Sequence, residues 1–164
     1  MTQSLTPHEL RAWRGLMQLA SRLQTDLGRQ LQDEHGVSVS DFEVLSRLQD
    51  APDGMRCRDL GADLAWEQSR TSHQLARMQR RGLVERGECV SDRRGVTFRL
   101  TASGRATVEK AAPDHDDTVR VLVFNALSPD QVTQLADLTS HLLRHVDNCP
   151  LADARRAAVR AYGT

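Results

Sequence analysis

Residues 69–84 read Ser69-Arg70-Thr71-Ser72-His73-Gln74-Leu75-Ala76-Arg77-Met78-Gln79-Arg80-Arg81-Gly82-Leu83-Val84. Up to Gly82 this is a helix. Leu75 and Met78 are its apolar positions, and Gln68, Ser69, Arg70, Ser72, His73, Arg77 and Arg80 form its polar face. After Gly82 the pattern changes. Residues 83–90 and 96–100 are rich in Val, Leu and Phe and read as strands. They flank Ser91-Asp92-Arg93-Arg94-Gly95, a polar turn sequence that gives the hairpin a cationic tip. A shorter helical segment, residues 58–65, carries Leu60 and Leu64 and lies just upstream. Two short helices followed by a hairpin are the parts of a winged helix-turn-helix. In that arrangement the first helix braces the second, and the second lies in the major groove. The hairpin reaches a neighbouring minor groove, whose negative potential attracts Arg.

Upstream of this unit, Ser40-Asp41-Phe42-Glu43 predicts a capping box, with Val39 and Val44 as a hydrophobic staple. Phe42, Leu45 and Leu48 are its buried side, and Ala51-Pro52-Asp53-Gly54 breaks the helix with a turn. Further upstream, Thr6-Pro7-His8-Glu9 opens a long helix by the same capping chemistry. Leu16, Leu19, Leu23, Leu27 and Leu31 stripe it, Trp13 extends the stripe, and Gly36 ends it. Downstream, Thr101 caps a helix that Pro113 is expected to kink or interrupt. Helical character resumes through Val119, Leu122, Val123 and Ala126. Ser128-Pro129-Asp130-Gln131 starts a last helix striped by Leu135, Leu138, Leu142 and Val146; Pro150 ends it, and 151–164 read as a frayed tail. The fold class is therefore mainly α with a β-hairpin wing. Long N- and C-terminal helices carry leucine stripes that suit dimerisation.

Charge supports the same division. The 164 residues balance 22 basic against 22 acidic groups, so bulk attraction to nucleic acid is not expected. Residues 56–105, however, hold 11 Arg against 6 acidic residues, inside acidic flanks. Arg accounts for all the basic residues except Lys110, which fits a GC-rich genome but does not explain the clustering. No apolar run reaches the ~18 residues needed to span a bilayer. No signal peptide is visible at the N-terminus, so a cytoplasmic protein is expected. Cys57, Cys89 and Cys149 are odd in number and widely spaced, which argues for reduced, inert thiols.

The run from Ser69 to Val84 resembles the recognition helix and first wing strand of the MarR family of bacterial transcription regulators. Asp92-Arg93-Arg94-Gly95-Val96-Thr97-Phe98-Arg99-Leu100-Thr101-Ala102-Ser103-Gly104 resembles that family's signature, an Asp-x-Arg followed by a strand ending in Leu-Thr-x-x-Gly. The helix order is similar from about residue 8 to 147. The resemblance implies a single MarR-like domain over 1–164. Residues 38–104 would bind DNA, 6–36 and 105–148 would dimerise, and 149–164 would form a tail. It implies a homodimer with intertwined terminal helices on a pseudo-palindromic operator in double-stranded DNA. It implies repression relieved by a small anionic or phenolic ligand. By the family pattern Arg94 enters the minor groove, Asp92 braces the wing through a charge pair, and Gln68, Ser69, Arg70, Ser72 and His73 face DNA. Arg77 joins that face, and Arg93 is a phosphate candidate. His8, Trp13 and Arg14 are candidates for an effector crevice. One departure is informative: thiol-sensing members carry a Cys near the start of the first helix, and no Cys precedes Cys57.

An activator or dual regulator would use the same fold, and a helical interaction protein without a DNA role would leave the Arg-tipped hairpin unexplained. No glycine-rich phosphate loop or nucleophile elbow supports an enzyme. His141, His145 and Cys149 share a helix face and are zinc-type ligands, but no fourth ligand is evident, and neither a metal nor any other cofactor is expected. Asp114, His115, Asp116 and Asp117 point different ways on a helix and read as solvated.

Overall fold

The computed structural model describes residues 4–89 and 92–149, with side chains described outside 88–95. The elements are α1 (Pro7–His35), α2 (Val39–Gln49), β1 (Met55–Arg56), α3 (Cys57–Asp63), α4 (Gln68–Arg80), β2 (Val84–Cys89), β3 (Asp92–Leu100), α5 (Ala102–Leu122), a 3₁₀ turn (Phe124–Ala126) and α6 (Pro129–Asp147). They fall into two compact units, one through Val119 and one from Arg120 onward. The expected tail from 150 lies outside the described residues.

The first unit holds the core. Leu31 and Val37 at the α1–α2 corner are buried with Phe42, Val44, Leu45 and Leu48 of α2. Leu60 of α3, Leu75 and Met78 of α4, Leu83, Val84, Phe98 and Leu100 of the hairpin, and Val108 and Ala111 of α5 complete it. The strands form one antiparallel sheet in the order β1-β3-β2. In the second unit no described residue is fully buried.

Capping is set locally. Thr6 and Glu9 form the α1 box, and Gly36 closes α1 in a left-handed conformation (φ 66°). Ser128 and Gln131 form the α6 box. At α2 the expected Ser40 cap is incorrect. Ser38 is the cap, bonded reciprocally with Asp41, and Ser40 lies inside the helix. The acid three residues on decides this. Asp41 is fully buried and accepts both the Ser38 amide and hydroxyl, whereas Glu43 makes no such return bond.

Three further differences from the sequence reading have physical causes. β1 pairs with Phe98 and Thr97 but is two residues long, too short for a periodic signal. Pro113 does not interrupt α5, which runs through it. A proline φ near −65° is helical, and only one ladder bond is lost. Buried Val108 and Ala111 anchor the helix just before it. Finally, residues 92–95 are strand rather than turn. β2 and β3 pair Glu88 with Val96 but Cys89 with Asp92, so 93–95 are extra residues in β3 at this irregularity.

Candidate nucleic-acid interface

α4 is amphipathic along its whole length. Thr71, Gln74, Leu75 and Met78 are buried, and they fix the helix roll. Gln68, Ser69, Arg70, Ser72, His73 and Arg77 are all exposed, and Ala76, Gln79 and Arg80 lie on the same open surface. The predicted DNA-facing residues of this helix therefore all lie on its solvent side.

The turn before α4 is tight. Ala65 takes a left-handed φ of 53°, and the Trp66 amide donates to the Gly61 carbonyl. Gly61 allows α3 to approach α4, since a Cβ there would meet Thr71 Oγ1 at 2.9 Å. Neither feature has a sequence signal beyond the glycine itself. Trp66 packs against the core, and the Arg70 guanidinium lies 4.1 Å from its ring centroid. Such a cation–π contact holds a long side chain in one direction while leaving its N–H fork available. Burial raises the Glu43 carboxyl above its ordinary pKa, against the opposing charges of Arg70 and Arg47.

The far end of α4 is held by Asp41, which sequence reasoning placed in the wrong cap. Asp41 accepts from Gln74 Nε2 at 2.7 Å and from Arg81 Nη1 at 2.7 Å, while Arg77 Nη2 lies 3.9 Å away. Arg81 Nη2 also donates to the Gly36 carbonyl at 2.7 Å. Burial alone would raise the Asp41 pKa. The Ser38 amide and hydroxyl and the Arg81 guanidinium outweigh it and hold the carboxyl below its ordinary value. The only sequence clue was a Ser-x-x-Asp spacing two residues earlier than the one read.

The hairpin is tied to α4 and α5 by the Leu-Thr-x-x-Gly segment. Thr101 Oγ1 donates to the Gly82 carbonyl at 2.6 Å and accepts from the Gly104 amide at 3.0 Å. A Cβ on Gly104 would lie 1.9 Å from the Leu83 carbonyl oxygen. Across the sheet Arg99 pairs with Glu85 at 2.7 Å. Asp92, Arg93 and Arg94 lie on β3, but the expected brace and DNA contacts concern side chains outside the described set. Cys57 Sγ sits 3.3 Å from Ser72 Oγ, half-buried at the edge of the α4 face.

The remaining candidates lie elsewhere. His8, Trp13 and Arg14 are exposed on the first turns of α1, with Arg11 Nη2 3.2 Å from His8 Nδ1. His141 and His145 are exposed on α6. Among the described residues they do not converge with Cys149 into a ligand cluster. In the acidic run, His115 packs on Phe42 with ring centroids 4.4 Å apart, Asp114 meets His35, and Asp116 and Asp117 are exposed.

Comparison with known proteins agrees with this geometry. A family model described as MarR family matches residues 35–95. AbsC, a MarR family transcriptional regulator from Streptomyces coelicolor, is 35% identical, with 89% of this chain and 99% of that one covered and a TM-score of 0.83. The chain belongs to the MarR family of transcriptional regulators. The MarR family regulator Sco3205 from the same organism, solved in complex with DNA, is 32% identical over 93% of this chain and 96% of that one, with a TM-score of 0.84. An uncharacterised helix-turn-helix regulator of Bacillus subtilis, YkoM, is 28% identical over 103 residues. That match spans 62% of this chain and 65% of YkoM, just under two thirds of its length. Membership places the chain among regulators and not among enzymes. Among the described residues no helix is long and apolar enough to cross a membrane.

Proposed function

We propose that this MarR-family chain binds double-stranded DNA as a homodimer, with α4 in the major groove and the β2–β3 hairpin at the adjacent minor groove. The observation that carries this reading is the face of α4. Arg70, His73 and Arg77 are exposed together, while Thr71, Gln74, Leu75 and Met78 lock the opposite side. A helix held that firmly presents its polar side chains in fixed register, as base readout requires. The crystal structure of Sco3205 in complex with DNA supports the same reading.

Arg70 reads a guanine edge and His73 lies about one turn further along. Arg94 holds position from the hairpin. Operator binding represses transcription in this reading, and a small anionic or phenolic effector relieves it. The setting is the cytoplasm.

The test is affinity of Arg70→Ala and Arg94→Ala for a randomised duplex library at two salt concentrations. Arg70→Ala is expected to cost about 1–3 kcal/mol and to relax preference at particular positions. Arg94→Ala is expected to weaken all sequences evenly and to flatten the salt dependence. Unchanged affinity and preference in Arg70→Ala would remove α4 from the groove.

A further inference from the structure

His35 ends α1 with its side chain only 3% exposed. Its Nε2 lies 3.1 Å from Asp114 Oδ2 on α5 and 3.8 Å from Glu34 Oε2. Despite that proximity Nε2 has no hydrogen-bond partner among the described residues. The atoms are close, but they lack the alignment that an N–H donor needs. A buried ring nitrogen left unbonded is costly and calls for an explanation. The ligand atoms of Glu34, His35 and Asp114 all lie within 4.8 Å of one another. Among the described residues no other group of three His, Cys, Asp or Glu converges in this way.

We propose that Glu34, His35 and Asp114 hold one divalent first-row transition-metal ion of the zinc type. Two ligands bound to one ion at about 2.0–2.2 Å are separated by about 3.0–3.6 Å at ordinary coordination angles. The His35–Asp114 separation already falls in that range. The Glu34 carboxylate is half-exposed and accepts from Gln30 Nε2 through Oε2, so closing its slightly longer gap takes a side-chain rotation that loosens that bond. One imidazole and two carboxylates offset the ion's charge and suit zinc better than calcium or magnesium, which prefer all-oxygen shells.

Two features of the surroundings favour a cation there. Glu34 and His35 occupy the last turn of a 29-residue helix, at the negative end of its dipole. A cavity of about 300 Å³, lined by Glu34, His35, Ser103, Ala106, Thr107 and Lys110, opens onto two of the ligands. It gives an entry path and room for water as a further ligand. Lys110 opposes the ion's charge, but it is exposed and keeps its ammonium in water.

His35 adjoins Gly36, whose carbonyl receives Arg81 at the end of α4. The ion therefore clamps the corner that positions the recognition helix. Its effect on operator affinity rests on the DNA-binding reading above; the site itself does not.

The test uses the full chain, stripped with a chelator and titrated with zinc chloride by calorimetry and with cobalt chloride by visible absorption. One ion per chain is expected. Asp114→Asn, at a half-exposed position, should lower zinc affinity at least about tenfold. His35→Ala should remove the cobalt absorption, with circular dichroism reporting that the chain is folded. His141→Ala/His145→Ala, which removes the imidazoles of α6, should bind as the parent does. The site is refuted if the stripped chain takes up no zinc, if Asp114→Asn binds as tightly as the parent, or if the α6 variant is the one that loses the metal. None of these readouts involves DNA, so failure of the DNA-binding reading would leave them decisive.

Discussion

Asp41 ties the start of α2 to both the middle and the far end of α4. Its partners there are Gln74 and Arg81, and Arg81 returns to Gly36. Replacing it by Asn keeps the shape but removes the charge from a fully buried position. Arg81 is partly solvated, which moderates the loss, so Asp41→Asn is expected to cost about 2–3 kcal/mol in urea denaturation at neutral pH. The pH dependence has a defined sign. The folded carboxyl titrates below its unfolded value of about 3.9. Its contribution is complete above that unfolded value and is lost as pH falls through the lower folded one. The deficit of Asp41→Asn against the parent should therefore shrink below about pH 4. A constant deficit down to the most acidic pH at which the parent still folds would show that the charge is not what stabilises this corner.

At the scale of elements, the Leu-Thr-x-x-Gly segment is a junction between the hairpin, α4 and α5. Gly104 sits inside a helix, where alanine would ordinarily gain about 1 kcal/mol. Here the added Cβ meets backbone oxygen, which cannot swing aside. Gly104→Ala is expected to destabilise by about 1–3 kcal/mol net, read as a lower melting temperature. A rise in melting temperature would show that the α5 start can shift away from Leu83.

Helix existence was legible in the sequence because caps and leucine spacing are local signals. Thr6, Gly36 and Ser128 act where their neighbours predict. What was not legible depends on tertiary contacts. Ser38 prevails over Ser40 because Asp41 is buried against α4, and α5 survives Pro113 with Val108 and Ala111 packed into the core. β1 exists only because β3 passes beside it. The polar face of α4 could be read from periodicity alone. The Trp66 platform under Arg70 could not, because it depends on the Ala65 backbone turning left-handed.

At the scale of the whole molecule, apolar side chains are left in water. Trp13, Leu16, Met17 and Leu19 on α1 are exposed. So are Leu135, Leu138, Leu142, Leu143 and Val146 on α6. Stripes of this extent mark surfaces that pair. A second copy of the chain is the occupant that the proposed two-fold operator binding requires. Sedimentation at micromolar concentration should give one species near twice 18.3 kDa. Leu138→Asp places a carboxylate on an exposed stripe position. It should shift the species toward monomer without loss of helicity, because the charge would be desolvated only in the dimer. A parent chain that sediments as a folded monomer would leave the stripes unexplained.

The proposed two-fold pairing of two α4 faces makes one direct demand on the DNA. Selection of duplexes from a fully randomised library by the parent chain tests it with no operator chosen in advance. Enrichment of an inverted repeat whose half-site centres lie about 10 bp apart, or a multiple of that spacing, is expected. Enrichment should fall when Arg70 is replaced by Ala. No enrichment over the starting library, or enrichment of a single site without two-fold symmetry, would contradict that pairing.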